Sequence, residues 1–387
     1  MSYHLLYESC GWHTRCALFD EHGRLLTLRY DDISRPYIEG ALVWGRVRQV
    51  VPSLGAAFID IGDVHDGLLA LNALPKGATT LTVGQGVMVR ITRGGFAEKG
   101  AKLDARVAHK STIAPGTKPH VVKAAPSALQ RSLRDAGSMP VKVWLPHGVF
   151  REVVAKVVPE RQIFMLNEDP QGHDTLPDVL GLLDDELARM LSPKPTFPFP
   201  NGDVVVELTS AVATMDINFR PLEGVSKGDA VLAANLTAAE TVARLARLLD
   251  LGGSVIIDFI TPKNKAQREM IYDHLDAALS TTDDHYEHLR PLSPNGLCEL
   301  TRARTGPSLM LLLNTAPYVA GAVGLALWRM PAGFNPSVRQ YAVRAHPTVA
   351  EILARHIQPQ EALRHLGRPL QITADVALQP STVQLAG

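Results

Sequence analysis

The spacing of apolar and polar residues predicts two different kinds of structure along the chain. Between residues 41 and 103, short apolar runs alternate with glycine and proline turns, which indicates a small barrel of short strands. Between residues 234 and 250, apolar side chains recur every three or four residues, as on a helix with one buried face. A capping box at 237–240 is expected near the start of this helix, and glycines at 252–253 at its end.

An apolar strand is predicted on each side of this helix, and each strand contains one acidic residue. Asp216 lies in the run 213–218, and Asp258 lies in the run 254–260. A strand, a helix and a strand joined so tightly form a right-handed crossover, whose strands usually run parallel and close together. A carboxylate in an apolar run is costly to bury without a partner. We therefore expect the two to share a site at the carboxyl ends of their strands.

A third polar residue strengthens the prediction of a metal site. Asn218 follows Asp216 by two residues, so both side chains point to the same side of the strand. Two carboxylates and an amide oxygen that leave room for water and phosphate suit Mg²⁺ or Mn²⁺. A cation held by Asp216 and Asp258 predicts a phosphate-cleaving enzyme. The pattern leaves an alternative open, in which each aspartate only caps a helix or forms a salt bridge.

From about residue 202 to residue 309, the chain resembles the catalytic region of the ribonuclease E/G family of bacterial endoribonucleases. The matching stretches are Met-Asp-Ile-Asn at 215–218, Asn-Leu-Thr-Ala-Ala-Glu at 235–240, Asp-Leu-Gly-Gly at 250–253, Ile-Asp-Phe-Ile at 257–260, Asn-Gly-Leu-Cys-Glu-Leu-Thr-Arg-Ala-Arg at 295–304 and Pro-Ser-Leu at 307–309. The resemblance implies that Asp216 and Asp258 hold Mg²⁺ and that Asn218 orients a carboxylate or a bound water. It also implies hydrolysis of single-stranded RNA to 5′-phosphate ends, in RNA processing or decay.

The predicted barrel is similar to an S1-type OB-fold, which holds single-stranded RNA by stacking and by charge. Phe58 is the stacking candidate, and Lys99 and Lys102 are candidate phosphate contacts. A core position for Phe58 and a solvated hairpin for the two lysines are the alternatives.

Further basic residues follow the second aspartate. A helix expected to start at 261–262, with proline at its first position, carries several of them in its first turns. Others lie on a strand after a Pro-Asn-Gly turn. The candidates for RNA contacts are Lys263, Lys265, Arg268, Arg302 and Arg304. A solvated surface is the alternative for each.

The chain departs from the family pattern at the 5′ sensor and at the zinc-binding cysteines, and it has Leu68 where larger members carry a second aromatic residue in the barrel. The family's 5′-monophosphate sensor, an insert after the barrel, is missing, and only a short stretch joins Arg106 to residues 126–131. The paired cysteines that bind zinc between subunits after the Pro-Ser-Leu segment are also absent. We therefore expect no zinc. Because family members pair their subunits, a homodimer without that link is expected.

Composition and charge limit the choice of partner and compartment. The 387 residues include 39 Lys and Arg and 39 Asp and Glu, so any attraction for phosphate must be local. The three cysteines, Cys10, Cys16 and Cys298, lack metal-binding spacing, and Cys298 is expected to be a small buried residue. The absence of a basic leader and of a long uninterrupted apolar run predicts a cytoplasmic protein with no membrane partner.

These predictions combine into an α/β (α+β) multi-domain protein. Residues 1–40 and 119–200 are expected to form a ribonuclease-H-like subdomain, with the S1-type OB-fold barrel at 41–118 inserted near its amino terminus. A mixed α/β catalytic domain follows at 201–315, and a small C-terminal α/β domain at 316–387. Two other functions stay open: a non-catalytic RNA-binding protein that retained the fold, and a nuclease acting on single-stranded DNA.

Overall fold

The computed structural model describes residues 2–77, 80–96, 98–107, 116–166, 178–220, 227–330 and 337–386. The chain divides into two compact units. The first contains residues 1–32, 128–303 and 308–387, and the second contains residues 33–127 and 304–307. Residues 108–115, in the stretch expected to replace the sensor, and 167–177, in the predicted subdomain at 119–200, lie outside the described residues.

The strands, numbered along the chain, are β1 (Tyr3–Ser9), β2 (His13–Phe19), β3 (Leu25–Asp32), β4 (Leu42–Val51), β5 (Ala56–Asp60), β6 (Gly67–Ala70), β7 (Gly86–Arg93), β8 (Lys102–Asp104), β9 (His120–Lys123), β10 (Val141–Leu145), β11 (Ile163–Met165), β12 (Thr196–Phe199), β13 (Gly202–Leu208), β14 (Ala213–Phe219), β15 (Gly253–Asp258), β16 (Tyr286–Leu289), β17 (Leu297–Arg302), β18 (Tyr341–Ala345), β19 (Leu370–Ala374) and β20 (Val383–Ala386). The α-helices are α1 (Ala128–Asp135), α2 (Arg151–Ala155), α3 (Val179–Leu191), α4 (Lys227–Leu248), α5 (Lys265–Thr282), α6 (Leu309–Leu313), α7 (Ala316–Arg329), α8 (Pro347–His356) and α9 (Pro359–Leu366).

The second unit contains a closed five-stranded barrel, which confirms the barrel predicted from the short apolar runs. Pairing runs from β4 through β5, β6, β8 and β7, and β7 pairs with β4 again. Strands β6 and β8 are parallel, and β9 also pairs with β4. The core of the barrel is aliphatic and contains Val43, Val47, Ile59, Ile61, Leu69, Val89, Ile91 and Leu103.

The described residues of the first unit form three sheets. A five-stranded sheet has the order β11-β10-β1-β2-β3, in which β10 is parallel to both of its neighbours. A six-stranded sheet has the order β12-β13-β14-β15-β17-β16, and a three-stranded sheet has the order β19-β18-β20. The mixed α/β character of the prediction is confirmed.

The six-stranded sheet carries the predicted crossover. Strands β14 and β15 are parallel neighbours, and α4 connects them. Alternate residues of both strands enter the core, where α4 packs against β13 and β14. The apolar positions that the helical spacing predicted are all buried, namely Val242, Leu245 and Ala246 on α4, Leu249 directly after it, and Ile271, Leu275 and Leu279 on α5. The opposite face of β14 and β15 is open and polar.

The start of α4 differs from the prediction. The helix already extends from Lys227, so the proposed capping box lies inside it. Thr237 donates its hydroxyl to the Ala233 carbonyl at 3.1 Å, a bond made within a helix rather than at a cap. The helix ends at Leu248, and Asp250, not a glycine, adopts the left-handed conformation with φ of 48°. The Leu251 amide then bonds back to the Ala246 carbonyl, as in a Schellman motif.

The start of α5 also differs from the prediction. This helix begins at Lys265, and Asn264 caps it by accepting a hydrogen bond from the Gln267 amide at 3.0 Å. The expected start at 261–262 was wrong because the Asn264 cap outweighs the preference of proline for the first helical position. Within the described parts of the chain, helices are too short or too polar to cross a lipid bilayer.

Candidate functional site

Asp216 and Asp258 are direct neighbours in the six-stranded sheet. They occupy the same register position on the parallel strands β14 and β15, so their side chains leave the same face. Adjacent strands lie about 4.8 Å apart, so the two aspartates are direct neighbours across the sheet. The structure therefore places the two acids side by side on one face of the sheet.

The surroundings of the pair differ from the expected buried runs. Both aspartates are exposed, whereas Met215, Ile217 and Ile257 point into the core. Asp258 is the last residue of β15, but Asp216 lies in the middle of β14. The site therefore lies on the open face of the sheet rather than in a crevice at its edge, and the carboxylates do not need a metal ion to offset burial.

Asn218 lies beside the pair, as its spacing predicted. Its side-chain amide donates to Asp216 Oδ2 at 3.2 Å and to Asp203 Oδ1 at 3.1 Å. Since both acceptors are carboxylates, the NH₂ group must face them, and Asn218 Oδ1 points away from both. Asn218 thus orients the Asp216 carboxylate directly.

Asp203 is a site residue that the sequence analysis missed. It lies opposite Asn218 on β13, and its Oδ2 accepts a hydrogen bond from Arg220 Nη2 at 3.3 Å. The side chain of Asp203 is only 17% exposed, whereas that of Arg220 is 79% exposed. Its position follows from the register of the β13–β14 hairpin, which the alternation of residues does not determine.

The donor set fits a hard divalent cation. Mg²⁺ is commonly held by one or two carboxylates, with water and substrate phosphate completing its coordination. No group of three or more His, Cys, Asp or Glu side chains is arranged to hold a metal ion within the portion of the chain that the structure describes. The pair of aspartates therefore matches a site completed by water and substrate rather than an all-protein cage.

Three of the predicted RNA-contacting residues lie directly after Asp258. Lys263 precedes α5 and is exposed, and Lys265 opens the helix with its side chain 80% exposed. Arg268 is half-buried one turn later. Lys265 also forms an i,i+4 ion pair of 3.4 Å with Glu269, which a phosphate could replace because the pair is exposed.

The structure contradicts an RNA-contacting role for Arg302. Its side chain is 1% exposed and forms a bidentate ion pair with Asp283, with Nε–Oδ2 and Nη2–Oδ1 distances of 2.5 and 2.9 Å. A third bond of 2.7 Å runs from Nη1 to the Leu251 carbonyl, just after the end of α4. Arg302 is therefore a buried structural residue whose hydrogen bonds link β17 to the segment after α4. Arg304 is exposed and lies in the second unit.

The barrel carries the other predicted contacts on its outside. Ile59 is buried in the core, so the half-buried Phe58 faces outward. The alternative of a core position for Phe58 is therefore wrong. In the strand register Phe58 pairs with Leu68, and Leu68 pairs with the exposed Lys102. Arg93, which the sequence analysis missed, pairs with Lys102 and completes a row across four strands.

Two other predicted residues have separate positions. Lys99 is exposed in the turn before β8, where it forms a β-bridge with Phe96. Cys298 is buried as expected, and burial raises the pKa of its thiol to about 12. The Cys298 thiol is therefore protonated at neutral pH.

Comparison with known proteins identifies relatives. The model of the ribonuclease E/G family matches residues 102–305, which is 204 of the 387 residues. Ribonuclease G of Salmonella typhimurium is 32% identical over 199 residues, covering 50% of this chain and 40% of that protein. A chloroplastic ribonuclease E/G-like protein of Arabidopsis thaliana is 32% identical over 138 residues, covering 34% of this chain and 13% of that protein. Ribonuclease E of Synechocystis is 31% identical over 133 residues, covering 34% and 20%. The matches thus span less than half of each relative.

Proposed function

The chain belongs to the ribonuclease E/G family, and from this premise we propose that it is a metal-dependent endoribonuclease acting on single-stranded RNA. The observation that carries the proposal is the shared register position of Asp216 and Asp258 on one open sheet face. An exposed pair of carboxylates is accessible to a polymer as well as to a cation. The expected products carry 5′-phosphate ends.

Each site residue has a distinct role in this proposal. Asp216 and Asp258 would hold Mg²⁺ (or Mn²⁺) through their carboxylate oxygens. Asn218 holds the Asp216 carboxylate in place through its 3.2 Å hydrogen bond. A bound Mg²⁺ supplies a positive charge that polarises a phosphodiester and lowers the pKa of a water molecule. The open sheet face leaves room for the RNA backbone beside the aspartates.

We also propose that the barrel is an S1-type OB-fold that binds the single strand. The closed pairing of β4, β5, β6, β8 and β7, with β6 parallel to β8, supports this assignment. On its surface, Phe58 would stack on a base, while Lys102 and Lys99 would contact phosphates. The five-stranded sheet in the first unit, with the order β11-β10-β1-β2-β3, is proposed to be the ribonuclease-H-like subdomain.

The basic residues after Asp258 are a second set of proposed RNA contacts, separate from those of the barrel. Lys263, Lys265 and Arg268 lie in the same unit as the aspartates, where their charges would attract the phosphate chain. Arg302 is withdrawn from this set because it is buried and paired with Asp283. Pairing of subunits into a homodimer stays a prediction, and sedimentation velocity would test it.

A cleavage assay tests the proposal. End-labelled single-stranded RNA is incubated with the protein in Mg²⁺ or in EDTA, and a matched DNA oligonucleotide is tested in parallel. Internal cuts are expected only in RNA and only with the metal ion, and they should disappear in Asp216→Asn and Asp258→Asn while RNA binding persists.

Other outcomes of this assay point to other functions. RNA binding without cleavage under any divalent ion would indicate a non-catalytic RNA-binding protein. Cuts in the DNA oligonucleotide would indicate a nuclease with a different substrate.

A further inference from the structure

We infer that Asn235 is a positioning residue that holds Asp258 opposite Asp216, an inference that rests on the proposed metal site. Asn235 lies on α4, on the side of the sheet away from the aspartates, and its side chain is completely buried. A buried amide needs partners for both its oxygen and its nitrogen. Both partners belong to one residue, Ile260, which follows Asp258 by two positions.

The bonds between Asn235 and Ile260 form a closed pair. Asn235 Oδ1 accepts from the Ile260 amide at 3.1 Å, and Asn235 Nδ2 donates to the Ile260 carbonyl at 2.8 Å. Because β15 ends at Asp258, Ile260 lies beyond the hydrogen-bond ladder of the sheet. The Asn235 side chain therefore takes the place of a neighbouring strand at the point where regular pairing stops.

A second contact holds the same segment from the side of β17. The Phe259 amide donates to the Gly296 carbonyl at 3.2 Å. Gly296 has a φ of 98°, and a Cβ atom there would lie 2.3 Å from the Phe259 carbonyl oxygen, so only glycine fits. The chain after Asp258 is thus fixed by α4 on one side and by the turn before β17 on the other.

This anchoring matters because Asp258 is a strand end. The pairing of β14 with β15 stops at Asp216 and Asp258, so no further ladder bond between these two strands keeps Asp258 from fraying. Mg²⁺ requires near-ideal geometry, and a displaced carboxylate would lose it. Asn235 touches neither the metal site nor the substrate face, so its effect must pass through the backbone of residues 258–260.

Metal binding by purified variants tests the inference. Mn²⁺ affinity is measured by electron paramagnetic resonance for the wild type, Asn235→Asp and Asn235→Ser. Asn235→Asp has nearly the same shape but lacks the NH₂ donor, and Asn235→Ser keeps one hydrogen-bonding group. We expect Asn235→Asp to bind Mn²⁺ roughly tenfold or more weakly, Asn235→Ser to be intermediate, and excess Mg²⁺ to restore part of the cleavage rate.

The controls separate positioning from a general loss of stability. Val343→Ala removes buried methyl groups from the three-stranded sheet, remote from the aspartates, and should leave Mn²⁺ affinity unchanged. All affinities are taken at a temperature at which circular dichroism shows each variant to be folded. Should both Asn235 variants bind Mn²⁺ as tightly as the wild type, the inference is wrong. The proposed metal site itself would be overturned if the wild type bound no Mn²⁺, or if Asp216→Asn bound Mn²⁺ as tightly as the wild type.

Discussion

Asp203 and Asn218 face each other across the antiparallel strands β13 and β14, and the Asn218 amide joins the Asp203 carboxylate to that of Asp216. Each carboxylate receives a hydrogen bond from the same NH₂ group, which reduces their mutual repulsion. Arg220 donates a hydrogen bond to the other oxygen of Asp203, Oδ2. The polar face of the sheet therefore carries a connected hydrogen-bond network that extends from Asp216 to Asp203 and Arg220.

Removing Asp203 is expected to lower activity without abolishing it. In Asp203→Ala, the Asn218 amide loses one of the two acceptors that orient it, so Asp216 is held less firmly. A hydrogen bond to a charged group in a partly exposed position is worth about 1 kcal/mol, which corresponds to a roughly fivefold lower kcat. Steady-state cleavage kinetics measure the change.

A double-mutant cycle provides the control for this prediction. If Asp203 acts through Asn218, the Asp203→Ala and Asn218→Ala effects should not add in the double variant. Fully additive losses would contradict the coupling. Asp185→Asn, at an exposed aspartate on α3, should leave kcat unchanged.

Replacing Arg302 is expected to affect stability rather than RNA affinity. Arg302→Gln would leave the buried Asp283 carboxylate without its cation, a change that costs about 3–5 kcal/mol in buried pairs. Urea unfolding should show this loss. At a temperature at which the variant is folded, its affinity for single-stranded RNA should equal that of the wild type. A selective loss of RNA binding with unchanged unfolding would instead restore Arg302 to the RNA surface.

Local periodicity explains why much of the fold and site could be predicted. The two-residue alternation of strands places Asp216 and Asn218 on one face, and the helical spacing of α4 identifies the crossover that brings Asp258 alongside. These signals depend only on neighbouring residues. They predicted the parallel pairing of the two strands that carry Asp216 and Asp258, although they did not show that this face of the sheet is open to solvent.

The features that the sequence did not reveal depend on distant partners. Asp203 joins the site through the register of a hairpin, and Arg302 is buried because Asp283, 19 residues earlier, lies beside it. The start of α4 was misplaced because a Thr-x-x-Glu pattern looks the same at a cap as inside a helix, where Thr237 bonds to Ala233. A pattern of neighbouring residues alone does not reveal the strand register, the distant ion-pair partner or the true start of the helix.

Truncating Phe58 is expected to weaken RNA binding while leaving the barrel folded. The ring lies outside the core that Ile59 fills, so Phe58→Ala should change the free energy of unfolding little. Loss of one stacked base costs about 1–3 kcal/mol, which is roughly a 5- to 150-fold higher Kd for single-stranded RNA. Fluorescence anisotropy measures it. Ile59→Ala is the contrasting control, because it should mainly destabilise the barrel.

The two basic residues in the row across the barrel strands, Lys102 and Arg93, are expected to influence how RNA affinity depends on salt. Lys102 and Arg93 are register partners on β8 and β7, so both are placed to contact the same stretch of phosphate backbone. Each contact removed, in Lys102→Ala or Arg93→Ala, should reduce the slope of log Kd against log salt by about 0.7. Titrations at several salt concentrations give the slope. An unchanged slope with weaker binding would show that the residue acts through packing instead.

A buried histidine predicts a loss of stability in mild acid. Burial lowers the pKa of His13 from 6.5 to about 4, and neither ring nitrogen has a hydrogen-bond partner among the described residues. Between pH 6.5 and 4 the unfolded chain binds a proton at His13 that the folded chain does not. The contribution of His13 to the free energy of unfolding is therefore fully present above pH 6.5 and is lost as the pH drops toward 4. The loss from this group is up to about 3 kcal/mol.

Urea unfolding at a series of pH values tests the role of His13. His13→Asn does not titrate, so its free energy of unfolding should change less between pH 6.5 and 4 than that of the wild type, even if its absolute stability is lower. The packing explains the low pKa. The ring lies against Tyr30 and Tyr318, and a Cβ atom on Gly321 of α7 would be 2.5 Å from it, so no water layer separates the imidazole from the helix. Equal pH dependence in the two proteins would show that other groups cause the acid sensitivity.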